Sequence, residues 1–165
     1  MLSQILSLIG CLFLLLSTFL KSKKRMLMYQ VGDTLFNALA NLSVGSYTGM
    51  LVNLVSCVRN IFNIKNKNND VINFLLILIL ILLGLIVNSN DRNLITCLPI
   101  VASVEYTILS YKFTSSQGIR IALIINLVLW AIHDICVGLY VAFMIDIVIL
   151  IVTVINFIRN KSVAE

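Results

Sequence analysis

Charged side chains are scarce in this sequence of 165 residues: 12% of its residues are charged, whereas 60% are hydrophobic. The mean hydropathy is correspondingly high, at +1.04. A water-soluble domain of this size has too little interior to bury that share of apolar side chains. The composition therefore excludes a soluble domain and predicts a protein embedded in a lipid bilayer.

Turn-forming residues are also few, with one proline and seven glycines. A transmembrane β-barrel would need frequent turns between strands of about ten residues with alternating polarity. The chain instead contains repeated apolar runs of about 18 residues, which as α-helices would cross a hydrocarbon layer about 30 Å thick. The predicted fold class is an all-α integral membrane protein.

The motifs of common enzymes are missing as well. The sequence contains one histidine and neither an HExxH nor a GxSxG motif, so it predicts no catalytic site, no metal and no cofactor. Its four cysteines lie inside apolar runs and form no CxxC pair, so we interpret them as small buried hydrophobic side chains. They are Cys11, Cys57, Cys97 and Cys136.

Charged and turn residues divide the chain into seven predicted membrane-spanning helices. No segment between them is long enough for a domain outside the membrane, so the prediction is a single transmembrane domain over residues 1–165. The predicted helices cover residues 2–20, 26–44, 47–63, 71–88, 94–112, 119–137 and 140–158.

Basic residues are distributed unevenly between the two predicted sides of the membrane. Eleven of the twelve fall on the side of the C-terminus, in short gaps between apolar runs, and Arg92 alone falls on the other. Because cytoplasmic loops are enriched in Lys and Arg, this predicts an N-terminus outside the cytoplasm and a C-terminus inside it. The net charge of +5 is thereby explained without a nucleic-acid partner. The eleven are Lys21, Lys23, Lys24, Arg25, Arg59, Lys65, Lys67, Lys112, Arg120, Arg159 and Lys161.

The chain also resembles itself when it is shifted by 93 residues. Glycine, tyrosine and polar positions coincide, which unrelated apolar helices do not readily do. The shift predicts two parallel three-helix repeats, residues 2–63 and 94–158, joined by an apolar linker helix over residues 71–88. The coinciding pairs include Gly45 and Gly138, Tyr47 and Tyr140, Asp33 and Asn126, Asn41 and Asp134, and Asn53 and Asp146.

Polar side chains within the predicted spans mark the candidate functional site. A carboxylate inside a bilayer costs several kcal/mol unless it faces a cavity or a partner, so such residues are functional candidates. Helical spacing and the repeat bring the polar side chains of four predicted helices towards one cleft between the two halves. The candidates are Asp33, Asn37, Asn41, Asn53, Asn126, Trp130, His133, Asp134 and Asp146.

Structural roles remain open for several of these residues. The amides can simply bond neighbouring helices together, as they often do in membranes. Asp33, like Glu105, can pair with a loop cation such as Lys24 or Lys112. His133 is either a proton relay with Asp134 or a packing hydrogen bond, and Trp130 is either core filler or a platform on which a solute stacks.

Two resemblances to known families follow from these segments. The run YQVGDTLFNALANLSVGSYTGMLVNLVSCVRNIF, from Tyr29 to Phe62, resembles the YgjV-type bacterial inner-membrane proteins in its Gly-x-Tyr-x-Gly turn and its Arg-Asn helix end. The likeness extends over residues 118–156 and implies a location in the bacterial inner membrane. The repeat is more distantly similar to SWEET and SemiSWEET transporters, which bind sugar at the repeat interface near the midplane.

In the SWEET likeness, Trp130 and Asn53 occupy the positions of a pocket Trp and Asn. Asn37 and Asp146 depart from the corresponding second Trp and second Asn, so the likeness is as compatible with a cationic or proton-coupled solute as with a sugar. The sequence thus favours a small-solute transporter, with a membrane scaffold or accessory subunit as the alternative. The expected partners are the lipid bilayer and a small polar solute, with or without protons, and homo-oligomers remain open.

Overall fold

The computed structural model describes residues 1–67, 69–87 and 94–161, which form seven α-helices and contain no β-strand. All predicted helices are present, and their bounds differ from the prediction by at most three residues. Residue 88, the predicted end of the fourth helix, lies outside the described residues. The helices are α1 (Leu2–Thr18), α2 (Lys23–Ser43), α3 (Tyr47–Ile64), α4 (Asp70–Val87), α5 (Leu94–Lys112), α6 (Ser116–Val137) and α7 (Tyr140–Lys161).

Two tight turns in the bundle are built in the same way. Gly45 and Gly138 adopt left-handed backbone angles, with φ of 77° and 82°. The next backbone amide in each turn donates to a carbonyl five residues earlier: Ser46 to Asn41 at 2.9 Å, and Leu139 to Asp134 at 2.8 Å. This bond closes a helix end whose carbonyls lack partners, and glycine adopts the required backbone conformation without strain.

Six of the helices close into a ring. Along the chain, α1 packs on α2, α2 on α3, α3 on α5, α5 on α6 and α6 on α7, and α7 returns to α1. The fourth helix, α4, contacts α3 and α5 from outside this ring. The arrangement leaves α2 and α6 facing each other across the ring's interior.

Hydrogen bonds define two ends of the bundle. Gln4 donates to the Gly138 carbonyl at 3.0 Å and accepts from the Val141 amide at 3.1 Å, so the start of α1 lies at the α6–α7 turn. At the other end, Arg120 near the start of α6 donates to the carbonyls of Thr18, the last residue of α1, and of Leu20 just beyond it. We call these the Gln4 end and the Arg120 end.

The bundle's outer surface is apolar along most of its length. Phe74, Leu85 and Ile86 of α4 are each at least 65% exposed, which is unusual for a protein that meets water. Two helices within the described ranges, Ser116–Val137 and Tyr140–Arg159, are long and apolar enough to cross a membrane, and two shorter apolar helices are Leu2–Thr18 and Asp70–Ile86.

Some residues lie elsewhere than predicted. Arg59 and Arg120, counted above among the cations in gaps between apolar runs, lie within α3 and α6, as the predicted helix bounds already implied. Both are buried, and carbonyl and side-chain oxygens accept from their guanidinium groups. Cys11 and Cys57 are buried as expected, but Cys97 is half-buried and Cys136 is exposed, on a helix face turned away from the ring's interior. Arg92 lies outside the described residues.

Gly49 is a position where an added methyl group should destabilise the fold. A Cβ atom there would collide with the Asn41 side-chain amide, so we expect Gly49→Ala to lower the free energy of unfolding by about 1–3 kcal/mol. Gly84→Ala is the matched control, because its Cβ would meet the flexible end of Ile100. Equal stability of both variants in mixed-micelle denaturation would contradict the packing described.

Candidate functional site

A cavity of about 60 Å³ lies inside the ring, and all six ring helices contribute to its wall. Eight of the nine predicted site residues line it, and the ninth, His133, lies directly behind Asp134. The predicted residues are therefore brought together by the fold. Those lining the cavity are Asp33, Asn37, Asn41, Asn53, Asn126, Trp130, Asp134 and Asp146.

The part of the cavity wall that α2 contributes is a row of polar side chains along the helix axis. Asn37 Nδ2 donates to Asp33 Oδ1 at 2.7 Å, and Asn41 Nδ2 donates to the Asn37 carbonyl at 2.9 Å. The neighbouring helices make room with glycine: Cβ atoms added at Gly10 or Gly49 would press on the Asn37 and Asn41 amides. Because the lining extends from Asn41 to Gln30, eleven residues apart, the cavity follows α2 for about 16 Å.

The α6 wall contains a short chain of hydrogen-bonding groups. His133 Nδ1 lies 3.0 Å from Asp134 Oδ1, and its Nε2 lies 3.3 Å from Ser46 Oγ, in the turn between α2 and α3. The Trp130 ring packs edge-on against the His133 ring, with 5.3 Å between centroids. His133 therefore connects a cavity carboxylate to the opposite half of the bundle.

Three carboxylates share the cavity. Asp146 of α7 is buried and lies within electrostatic range of Asp33 and Asp134. On the amide side, Asn53 Nδ2 donates to the Gly49 carbonyl and Asn126 Nδ2 to the Ala102 carbonyl. These two amides are thus tied to backbone, while the carboxylates lie within electrostatic range of one another.

Arg59 is the cavity residue that the sequence interpretation misplaced. Its side chain is 4% exposed and lies over the Tyr106 ring, 4.5 Å from the centroid. Its guanidinium donates to Asn60 Oδ1, to Thr107 Oγ1 at 3.2 Å and to the Ser103 carbonyl. The sequence did contain a signal for this position: Arg59 lies three residues after Ser56, on the polar face of α3.

The alternative role for Asp33 and Glu105, pairing with loop lysines, is not found. Across the described ranges, no ion pair joins Asp33 or Glu105 to Lys24 or Lys112. Asp33 is bonded to Asn37 instead, and both Glu105 carboxylate oxygens lack a hydrogen-bond partner there while lying within electrostatic range of Arg59. The reason is distance: Asp33 and Glu105 lie inside their helices, whereas the two lysines are exposed at the helix ends.

Comparison with known families decides the class of the protein. The model of a family described as a bacterial inner membrane protein, Imp-YgjV, matches residues 1–163. The chain belongs to the Imp-YgjV family. This confirms the predicted resemblance and makes the chain a bacterial inner membrane protein. Neither the curated proteins nor the solved structures contain a significant match to this Imp-YgjV chain.

Arg59 offers a direct test of the site's geometry. Arg59→Lys keeps the charge but removes the planar group that stacks on Tyr106 and bonds to Asn60 and Thr107, so we expect a stability loss of about 1–3 kcal/mol. Arg25→Lys, the same change at an exposed position, should stay within about 0.5 kcal/mol. Indistinguishable unfolding of the two variants in detergent would show that the described contacts contribute nothing.

Proposed function

We propose that this Imp-YgjV protein is a multi-pass transporter that moves a small polar solute across the bacterial inner membrane. The observation that carries the proposal is the closed ring of helices around a cavity with three carboxylates. Ionisable residues inside a membrane are expensive, and in transporters they mark the path of a solute or a proton. We assign no enzymatic role.

An organisation in two repeats supports this function. The starts of α2 and α6 are 93 residues apart, and so are the starts of α3 and α7. The two glycine turns share one hydrogen-bond pattern at the same separation. In the proposed 3+1+3 arrangement, α1–α3 and α5–α7 each supply half of the cavity, α4 is the linker, and rocking of the halves opens the site to alternate sides.

Seven membrane crossings form part of the proposal. The helices that fall short of a stringent length and hydropathy criterion include α2 and α3, whose cavity-facing amides and carboxylates lower their average hydropathy. Their outer faces are apolar, with Leu35, Leu39 and Leu54 exposed. The Arg120 end, which carries Lys21 before α2 and Lys23 and Lys24 in its first turn, is proposed to face the cytoplasm.

The size of the cavity limits the solute. At about 60 Å³ it is well below the roughly 300–1,000 Å³ of pockets that hold drug-sized molecules. It accommodates a few water molecules or a solute of few non-hydrogen atoms, which favours a small solute over a sugar. The chain from Asp134 through His133 to Ser46 supplies a route for an accompanying proton.

A scaffold or accessory subunit is the second candidate. It is favoured by the bonds that tie cavity amides to backbone, such as Asn126 to Ala102 and Asn53 to Gly49, because such bonds also serve helix packing. A scaffold would copurify with a partner in fixed stoichiometry and would transport nothing.

Membrane topology can be tested on the full chain with its native cysteines replaced. Tyr47→Cys, at an exposed site on the Gln4 end, should react with an impermeant maleimide added to intact spheroplasts. Lys67→Cys, beyond the other end of α3, should react only after the spheroplasts are opened. Labelling of both from one side would contradict a spanning α3, and the reverse pattern would contradict the orientation.

Transport can be tested in proteoliposomes with labelled glycine, glycerol, glucose and rubidium. At least one should enter faster than into protein-free vesicles, and Asp134→Asn and Asp146→Asn should lower that flux at least tenfold, since both carboxylates line the cavity. Asp70→Asn is the control, because Asp70 is exposed at the start of α4. Absence of all four fluxes, with a stoichiometric partner, would favour the scaffold.

A further inference from the structure

The two ends of the cavity have opposite polarity. Its lining contains three carboxylates from its middle towards the Gln4 end, whereas its lining towards the Arg120 end contains a guanidinium and amide nitrogens. From this juxtaposition we infer that the transported solute is a small zwitterion, with an ammonium group and a carboxylate a few bonds apart. The inference rests on the transport function proposed above.

The acceptor end is formed by Asp33, which lines the cavity. Asp134 and Asp146 lie beyond it towards the Gln4 end, within electrostatic range. An ammonium group has three N–H donors and no acceptor, so it suits the Asp33 carboxylate with two further negative groups near it.

The donor end surrounds Arg59. Asn60 Oδ1 accepts from the guanidinium, and Gln30 Oε1 accepts from Tyr106 Oη at 2.8 Å. These bonds leave Asn60 Nδ2 and Gln30 Nε2 as buried donors without a partner among the described residues. Buried donors that lack acceptors cost free energy, and a ligand carboxylate beside Arg59 would satisfy both.

The two kinds of group are close enough for one small molecule. Asp33, the third carboxylate, lies three residues after Gln30 on α2, a rise of about 4.5 Å along the helix. The Asp33 carboxylate and the unpartnered Gln30 donor are therefore less than one helical turn apart along α2, which suits a short zwitterion. The cavity volume of about 60 Å³ likewise restricts the solute to a few non-hydrogen atoms.

Solutes with a single charge satisfy only half of this lining. A cation alone would leave the Asn60 and Gln30 donors without acceptors. An anion alone would bring a fourth negative charge near Asp33, Asp134 and Asp146, which is unfavourable in a site with little water. A neutral sugar would compensate none of the charges.

The protein contains its own reporter for binding. Trp130 is the chain's single tryptophan and lines the cavity. In detergent-purified protein, glycine should change the Trp130 emission with saturation, and methylammonium and acetate should each need at least a tenfold higher concentration. β-Alanine and glycine betaine extend the zwitterion series to larger sizes.

Isosteric variants test the donor end and the acceptor end of the cavity separately. Asn60→Asp and Gln30→Glu place negative charge at the donor end and should weaken the glycine response at least tenfold without weakening a methylammonium response. Asp33→Asn removes the charge at the acceptor end and should weaken both. Asp70→Asn is the control, and circular dichroism with gel filtration identifies any variant that does not fold, so that the remaining variants decide the result.

Several results would overturn the inference: methylammonium or acetate binding as tightly as glycine, an unchanged glycine response in the folded donor-end variants, or no response to any of the three zwitterions. Failure of the proposed transport function can be distinguished from failure of the zwitterion inference. Glycine binding without glycine flux in proteoliposomes would support the zwitterion site and contradict the transport function. Flux of glycerol or rubidium without glycine binding would support transport and contradict the zwitterion site.

Discussion

A hydrocarbon solvent cannot hydrogen-bond, and this constraint governs the bundle. Each polar side chain within a span must find its partner in protein or face an enclosed space. Several do so locally: Thr34, Asn53 and Thr107 bond to the carbonyl four residues earlier in their own helices. The remaining polar groups collect inside the ring, and the outer surface is left to apolar side chains.

The ring is closed at two seams that differ in chemistry. Between α1 and the α6–α7 pair, Gln4 and Arg120 bond to backbone at opposite ends, so the seam is held at both ends. Between α3 and α5, Ser56 and Ser103 meet at 3.0 Å and Arg59 bonds nearby. The polar contacts described at this second seam thus lie beside the Arg120 end of the cavity, where they position its donor groups.

The electrostatic layout of the cavity follows from these seams. Arg59 is drawn to the α3–α5 seam by the Tyr106 ring and by two oxygens of α5. The carboxylates come from α2, α6 and α7, the helices that border the interior on either side of this seam and opposite it. Arg59 and the three carboxylates consequently face one volume, and no ion pair joins Arg59 to any of them in the described ranges.

The amino-acid sequence by itself determined the helices and most of the cavity wall. Apolar runs of spanning length mark the helices, and the spacing of Asp33, Asn37 and Asn41 places them on one face whatever their neighbours are. Only the tertiary structure decided the place of Arg59, because Ser103, Tyr106 and Thr107 lie more than forty residues away in sequence. It also decided which amide atoms stay unpartnered, since each depends on bonds between side chains that packing brings into contact.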